Sequence, residues 1–348
     1  MKISGSNSHK NSGCESISIK DNTTELDYKY VIKERIFKNA KNKIELVVFK
    51  ETNQLYAVKL LSSKSSLFDR SLLEKEALYL SKIQGQNVIK IIEIKLDGKK
   101  FKKSSNLPKN CHYMVLEYAI KGELYEYIKL NSGLHHKIAR YLFRQMINGL
   151  ETIHLNNICH RDIKLDNFLF DENFKLKFSD FEFCEEIKNS QGQVIYHTDK
   201  LGTLSYMAPE FFSARMHPIL NYFKIFHSGD KIDIFACGVV LFVMLTGFYP
   251  FHSAEKIDCN YRYFFEGRCE NFWKNKKIVN VGANIPESAK DLLNRMFEYD
   301  ANKRINLKEI KEHEFFTGDV ASEKELYVYM NNLWLMIKKL KKGKSKIC

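Results

Sequence analysis

From Ile234 to Phe251 the chain runs 18 residues without a charged side chain. A segment that apolar has two homes. One is a bilayer, for which 18 residues is the lower limit of a spanning helix. The other is the centre of a helical body large enough to cover it on every side. Gly247, Tyr249 and Pro250 favour the second, because they end the helical part near Thr246, short of a span. With 348 residues the chain can supply such a body and still form a second lobe. Its apolar and charged fractions, 44% and 28%, place it among globular rather than disordered chains.

The pattern before that segment is of a different kind. Residues 1–27 are polar, rich in Ser, Asn and Lys, and read as a disordered arm. From Tyr28 the chain becomes strand-like, with strands over Ile44–Phe49 and Leu55–Leu61 joined by a turn at Glu51-Thr52-Asn53-Gln54. Leu72, Leu73, Glu76, Leu80 and Ile83 recur at helical spacing over residues 69–83. Strands follow near 88–94 and 112–118, with a basic loop from Gly98 to Asn110 between them. From about residue 123 the chain turns helical, and Ile138, Leu142, Met146, Leu150 and Ile153 mark one long amphipathic helix. A small β-rich half followed by a larger helical half is an α+β, two-lobed architecture. The junction falls near Tyr118–Gly122, and a ligand cleft is expected there.

A net charge of +13 and a pI near 9.1 admit nucleic acid, a membrane surface or acidic partners. The lysines are spread along the chain and no arginine-rich or aromatic-interleaved motif occurs, so no nucleic-acid partner is expected. Eight cysteines without a CxxC pair suit reduced thiols in a cytosolic protein better than a disulfide framework or a zinc site. Met1-Lys2-Ile3 has no apolar signal core, Lys2 stands where N-myristoylation needs glycine, and Cys348 is not a CaaX box. A cytoplasmic monomer, with nuclear access, is the expectation.

The chemistry is concentrated in His160-Arg161-Asp162-Ile163-Lys164-Leu165-Asp166-Asn167, which leads into the apolar run Phe168-Leu169-Phe170. A solvated turn whose charges cancel is one reading of the octet. The other is a reactive loop set beside a buried strand. The octet matches the H-R-D-L-x-x-x-N loop of protein kinases, with Ile163 in place of leucine. Further matches are Tyr56-Ala57-Val58-Lys59, Ser179-Asp180-Phe181, Ala208-Pro209-Glu210, Asp233-Ile234-Phe235-Ala236-Cys237-Gly238 and the Arg304 segment. Together they cover about residues 28–316 in the family's order. The chain resembles a eukaryotic protein kinase of Ser/Thr type, nearest in look to the calcium/calmodulin-dependent group.

The resemblance implies two lobes, about 28–118 and 119–316, and transfer of the ATP γ-phosphate to Ser/Thr hydroxyls of proteins with Mg2+. It implies that Asp162 orients the hydroxyl and that Lys164, a Ser/Thr-kinase feature, lies beside the moving phosphate. Asn167 and Asp180 are the implied magnesium ligands. Lys59 is implied to pair with Glu76, with Glu74 facing elsewhere, and Leu80 to touch Phe181. Ile44 and Ala57 become the roof of the adenine pocket, Leu169 its floor, Leu116 the gatekeeper, and Glu117 to Ala119 the hinge. Glu123 and Asp166 sit where related kinases bind ribose and a basic substrate residue, which implies a preference for Arg or Lys upstream of the Ser/Thr. Glu210 is implied to pair with Arg304, and Asp233 to hold the backbone of the octet.

Two departures bear on activity. The family's glycine-rich loop falls on Phe37-Lys38-Asn39-Ala40-Lys41-Asn42, which has no glycine. Asn39 and Asn42 tolerate positive φ, and Lys38, Lys41 and Lys43 offer cations in place of backbone amides, so weaker ATP binding is expected. Asp-Phe-Gly is Asp180-Phe181-Glu182. Glu182 could bind magnesium or point to solvent, and solvent is the expectation. A pseudokinase scaffold is the alternative these departures raise. Asp199, beside Thr198, stands at the usual phosphosite and is expected to mimic a phosphate for Arg161. Met216–Ser228 reads as a surface insertion. Residues 317–348 form a basic tail in which Leu326, Met330, Leu333, Ile337 and Leu340 repeat at 4-3-4-3 spacing before a lysine run. A helix packed on the large lobe is the expectation, with a calmodulin-type partner or an acidic membrane surface as alternatives.

Overall fold

Alternating side chains build the first lobe. Strands β1 (Thr24–Leu26), β2 (Tyr30–Lys38), β3 (Asn42–Phe49), β4 (Leu55–Leu61), β5 (Ile91–Lys102) and β6 (Ser105–Glu117) form a closed antiparallel sheet in the order β1-β2-β3-β4-β6-β5. This computed structural model describes residues 24–38, 42–61, 66–102, 105–198, 202–212, 215–216, 223–224, 227–275, 278–279 and 285–344, to which all structural statements refer. The arm before Thr24, Asn39 to Lys41 of the nucleotide loop, Asp199 and most of the 216–228 segment lie outside them. Val47, Val58, Leu60, Tyr113 and Val115 fill the inside of the sheet with Leu26 and Tyr30. The opposite face of β4 carries Lys59, because side chains alternate along a strand.

Thr24–Leu26, at the end of the stretch expected to be an arm, pairs with β2 on one side and β5 on the other. The expected basic loop is also different: Gly98 to Asn110 mostly continues the two strands, with Gly98↔Cys111, Lys99↔Asn110, Lys100↔Lys109 and Lys102↔Ser105 in register. Lysine-rich sequence reads as loop because strand propensity reports burial. Here pairing to β1 and β6 satisfies the backbone while Lys99, Lys102 and Lys109 are exposed and Lys100 reaches the Glu45 carboxylate at 3.4 Å. Gly98 admits the Tyr113 ring, which an added Cβ would strike.

Helix α1 (Leu67–Lys82) starts at a capping box, where Ser66 and Asp69 bond each other's backbone N–H at 3.0 and 3.1 Å. Its buried stripe is Leu73, Glu76, Ala77 and Leu80. A carboxylate inside an apolar stripe needs a partner of opposite charge.

The second lobe begins after the crossing at Tyr118–Lys121. It contains β7 (Gly122–Glu123), α2 (Leu124–Asn131), α3 (His136–Leu155), β8 (Ile158–Cys159), β9 (Phe168–Phe170), β10 (Leu176–Phe178), β11 (Glu185–Glu186) and α4 (Gly229–Thr246). After these come α5 (Arg262–Phe265), α6 (Cys269–Lys274), α7 (Glu287–Met296), α8 (Leu307–Glu312), α9 (Glu314–Thr317) and α10 (Glu323–Lys344). Helix α4 takes up the uncharged run as far as Thr246 and ends on Gly247 at φ +76°, against the Ser132 backbone. It is buried nearly all round and packs on α3 and α7. No helix among the described residues is long and apolar enough to cross a membrane. Helix α10 lies on α2, burying Leu326, Met330, Leu333 and Ile337, while Leu340 is 55% exposed. Lys121 is pinned against it, 3.6 Å from the Trp334 ring centre and 3.2 Å from the Asn331 side-chain oxygen.

Candidate active site

Three elements converge on one ammonium group. Strand β4 presents Lys59, α1 presents Glu76, and the turn after β10 presents Asp180. Lys59 Nζ lies 2.7 Å from Glu76 Oε2, 3.2 Å from Asp180 Oδ1 and 3.5 Å from Glu182 Oε2. Burial alone would lower the pKa of Lys59, but the charges of Glu76 and Asp180 outweigh it and hold the value above that of an ordinary lysine. Burial pushes the Glu76 carboxyl up against the pull of Lys59. Burial also pushes Asp180 up, yet Lys59, His160 and Lys164 bring it below the usual aspartate value, so it is ionised at neutral pH. Glu74 faces elsewhere and pairs with Arg70.

Glu182 corrects an expectation. It turns inward to Lys59 and is only 17% exposed. Attraction to the buried Lys59 ammonium outweighs hydration of the carboxylate here. The backbone gives no reason for glycine at 182: Asp180, at φ +61°, takes the left-handed conformation, and Glu182 is not among the positive-φ residues.

The octet loops between β8 and β9. Asp233, in the first turns of α4, accepts the backbone N–H of His160 and of Arg161, both at 2.8 Å, and bonds His154 Nε2 at 2.9 Å. These bonds hold Arg161 at φ +65°, a strained value for a non-glycine residue. Lys164 Nζ donates to Asp162 Oδ2 at 2.6 Å. The Asn167 amide NH2 donates to the Asp162 carbonyl at 2.8 Å and to Asp162 Oδ2 at 3.0 Å. Both donations turn the NH2 toward Asp162 and leave the amide oxygen for another partner. Phe181 lies edge-on to His160, ring centres 4.9 Å apart, in the same buried cluster as Leu80.

The proposed adenine walls share one region of the sheet. Ala57 stands opposite Leu116 and Tyr56 opposite Glu117, while Ile44 pairs with Lys59 on the other edge of β4. Ile44, Ala57, Leu116 and, on β9, Leu169 are each partly exposed, as pocket walls must be; Ala119 is buried. The Glu117 carboxylate is tied to the Lys90 N–H at 3.0 Å and to Lys177 at 3.1 Å, which joins the crossing to β10. Glu123 stands at the start of α2, and partial burial of its carboxyl together with Asp166 and Glu126 pushes it above the ordinary value.

The segment that closes the site is anchored at its far end. Arg304 Nη1 and Nη2 each lie 2.8 Å from a Glu210 carboxylate oxygen, a buried bidentate pair. The Tyr206 hydroxyl accepts the Leu165 N–H at 3.4 Å. Sequence reasoning missed the Lys177–Glu117 bond. Lys177 reads only as the outward position of an alternating strand.

A buried lysine–glutamate pair inside the first lobe, reached by Asp180 from the second and set over a loop with this polar order, defines the cleft of a protein kinase. Residues 30–316 match the protein kinase domain, and the chain belongs to that family. Its relatives put it with the eukaryotic serine/threonine kinases. It is 30% identical to a probable serine/threonine-protein kinase of Dictyostelium discoideum over 83% of this chain and 31% of that protein. It is 30% identical to the serine/threonine-protein kinase SAPK5 of Oryza sativa subsp. japonica, over 79% and 66%. It is 34% identical to CBL-interacting serine/threonine-protein kinase 20 of Arabidopsis thaliana, over 59% and 41%. The chain thus spans from about a third to just under two thirds of these relatives' lengths.

Proposed function

We propose that the chain transfers the ATP γ-phosphate to Ser/Thr hydroxyls of protein substrates. The observation that carries this reading is the Lys59–Glu76 pair at 2.7 Å together with Asp180 at 3.2 Å from the same ammonium. In this reading Lys59 binds phosphate oxygens, Asp162 orients the hydroxyl and takes up its proton, and Lys164 steadies the charge that moves between them. The donor set suits magnesium: an ionised Asp180, 39% exposed, and the oxygen of Asn167 are hard ligands. Bound magnesium would neutralise phosphate charge. Ile44, Ala57, Leu116, Glu117, Ala119 and Leu169 hold the adenine, and Glu123 the ribose. Residues 28–316 are the catalytic unit and 317–348 an appended tail. The test is phosphate transfer to a generic basic protein by wild type and Asp162→Asn. Signal from wild type only is expected, and equal signals defeat the reading.

A second reading, a pseudokinase scaffold, is favoured by the glycine-free stretch Phe37–Asn42 and by Glu182, which competes with phosphate for Lys59. Nucleotide binding without transfer by wild type would support it. The acidic group of Glu123, Glu126 and Asp166 supports a basic residue upstream of the substrate hydroxyl, and a peptide library without that preference counts against it. Leu335, Met336 and Leu340 are exposed beside Lys338, Lys339 and Lys341 on α10, which supports a calmodulin-type partner or an acidic membrane surface. The calcium/calmodulin-dependent subgroup rests on the overall look of the sequence. A cytoplasmic monomer, with nuclear access, completes the reading, and the free cysteines among the described residues support that compartment.

A further inference from the structure

Lys75 precedes Glu76 on α1 and therefore points about a quarter-turn away from the cleft. Its ammonium bonds Glu185 Oε1. The same oxygen stands 3.8 Å from Arg161 Nη1, whose side chain is almost wholly buried. Glu185 is held in place independently: it pairs with Cys159 between β11 and β8, and its carbonyl accepts the Cys159 thiol at 3.3 Å. One carboxylate, fixed on the strand beside the octet, thus faces a cation from the first lobe and a cation from the octet itself.

We infer that Glu185 is a positioning residue: through Lys75 and Arg161 it ties α1 to the octet, and so holds Glu76 against Lys59 without any added phosphate. Three features argue for a link rather than a casual surface pair. The two cations come from elements that sequence separates by more than eighty residues. Arg161 is desolvated, so a nearby anion is worth more to it than to an exposed arginine. Its backbone is already strained and clamped by Asp233, so its direction is set before Glu185 arrives. The opposing consideration is that Lys75 and Glu185 are each about one-third exposed, where ion pairs contribute little. The expected effects are therefore modest.

The consequence for rate rests on the phosphotransfer reading, but the link can be measured without turnover. The full chain is compared with Glu185→Gln, Lys75→Gln, the double variant, Glu185→Asp, and Glu186→Gln as an exposed neighbour. Amide hydrogen exchange is followed over residues 67–82, with Tm alongside. Glu185→Gln and Lys75→Gln should each speed exchange in α1 by about fivefold, the double no further, with Tm nearly unchanged. Glu185→Asp should recover part of the protection, Glu186→Gln should match wild type, and phosphatase treatment of wild type should change nothing. Where turnover is present, kcat/KM for ATP should fall by a similar factor in the same variants. Unchanged α1 exchange in Glu185→Gln overturns the inference. So do additive effects of the two single changes, and faster exchange spread over the whole molecule. A wild type that transfers no phosphate defeats the kinase reading, while the exchange result still decides the link.

Discussion

Lys59 faces three carboxylates and can fully satisfy only some of them. Glu76 and Asp180 are the close partners, and Glu182 is the surplus charge. In the phosphotransfer reading, phosphate displaces part of this arrangement and Glu182 works against nucleotide. Glu182→Gln keeps the shape and removes the charge. It should lower the KM for ATP by about fivefold, corresponding to about 1 kcal/mol for one partly buried charge contact. A steady-state ATP titration reads it, and a raised KM would mean that Glu182 assists the metal instead. Glu123 makes a pH-dependent prediction. Burial, Asp166 and Glu126 raise its pKa above the ordinary 4.5. It becomes neutral as pH falls through that raised value. Discrimination for a peptide with an upstream Arg over its Ala counterpart should shrink on going from about pH 7.5 to about pH 5. A constant ratio of the two kcat/KM values would remove Glu123 from substrate recognition.

At the scale of elements, the octet has little regular structure of its own and depends on α4. Asp233 receives two backbone N–H groups and His154, all in the interior. Asp233→Ala strands those donors and releases Arg161 from its positive φ. The expected loss is on the order of 3 kcal/mol, or about 4 °C in Tm, with activity lost as well. Thermal unfolding measures it; a shift under about one degree would show that the loop holds itself. The Glu210–Arg304 pair is the corresponding clamp for the segment after Asp180. Glu210→Ala leaves the Arg304 guanidinium buried without its carboxylate, which should cost about 3–5 kcal/mol. Arg304→Met, which removes the buried charge, should cost less than Glu210→Ala when both are compared by denaturant unfolding.

At the scale of the whole molecule, α10 belongs to the packed second lobe. Leu326, Met330, Leu333 and Ile337 are buried against it, and Lys121, the last residue of the crossing between lobes, is enclosed by Trp334 and Phe174. Ending the chain after Thr317 should therefore lower Tm by several degrees, since each buried apolar side chain contributes up to about 1.5–3 kcal/mol. Activity per folded molecule should persist, because no side chain of α10 reaches Lys59, Asp162 or Asp180. Differential scanning calorimetry and specific activity on the same samples separate the two effects.

The local rules written into the sequence determined a great deal. Hydrophobic period placed α3 and the β9–β10 hairpin, Gly247 stopped α4, and Ser66 with Asp69 started α1, because caps, turns and alternation are decided within a few residues. The order of the polar octet, and the isolated Glu76 within an apolar stripe, marked the candidate site for the same reason. Only the tertiary structure decided which long-range partners those charges meet. It brought Glu182 inward, made strands of the lysine-rich 98–110 stretch by laying β1 beside β5, and set Glu185 between Lys75 and Arg161. An electrostatic contact depends on distance in space, and residues separated by tens of positions acquire that distance only when the lobes and sheet have formed.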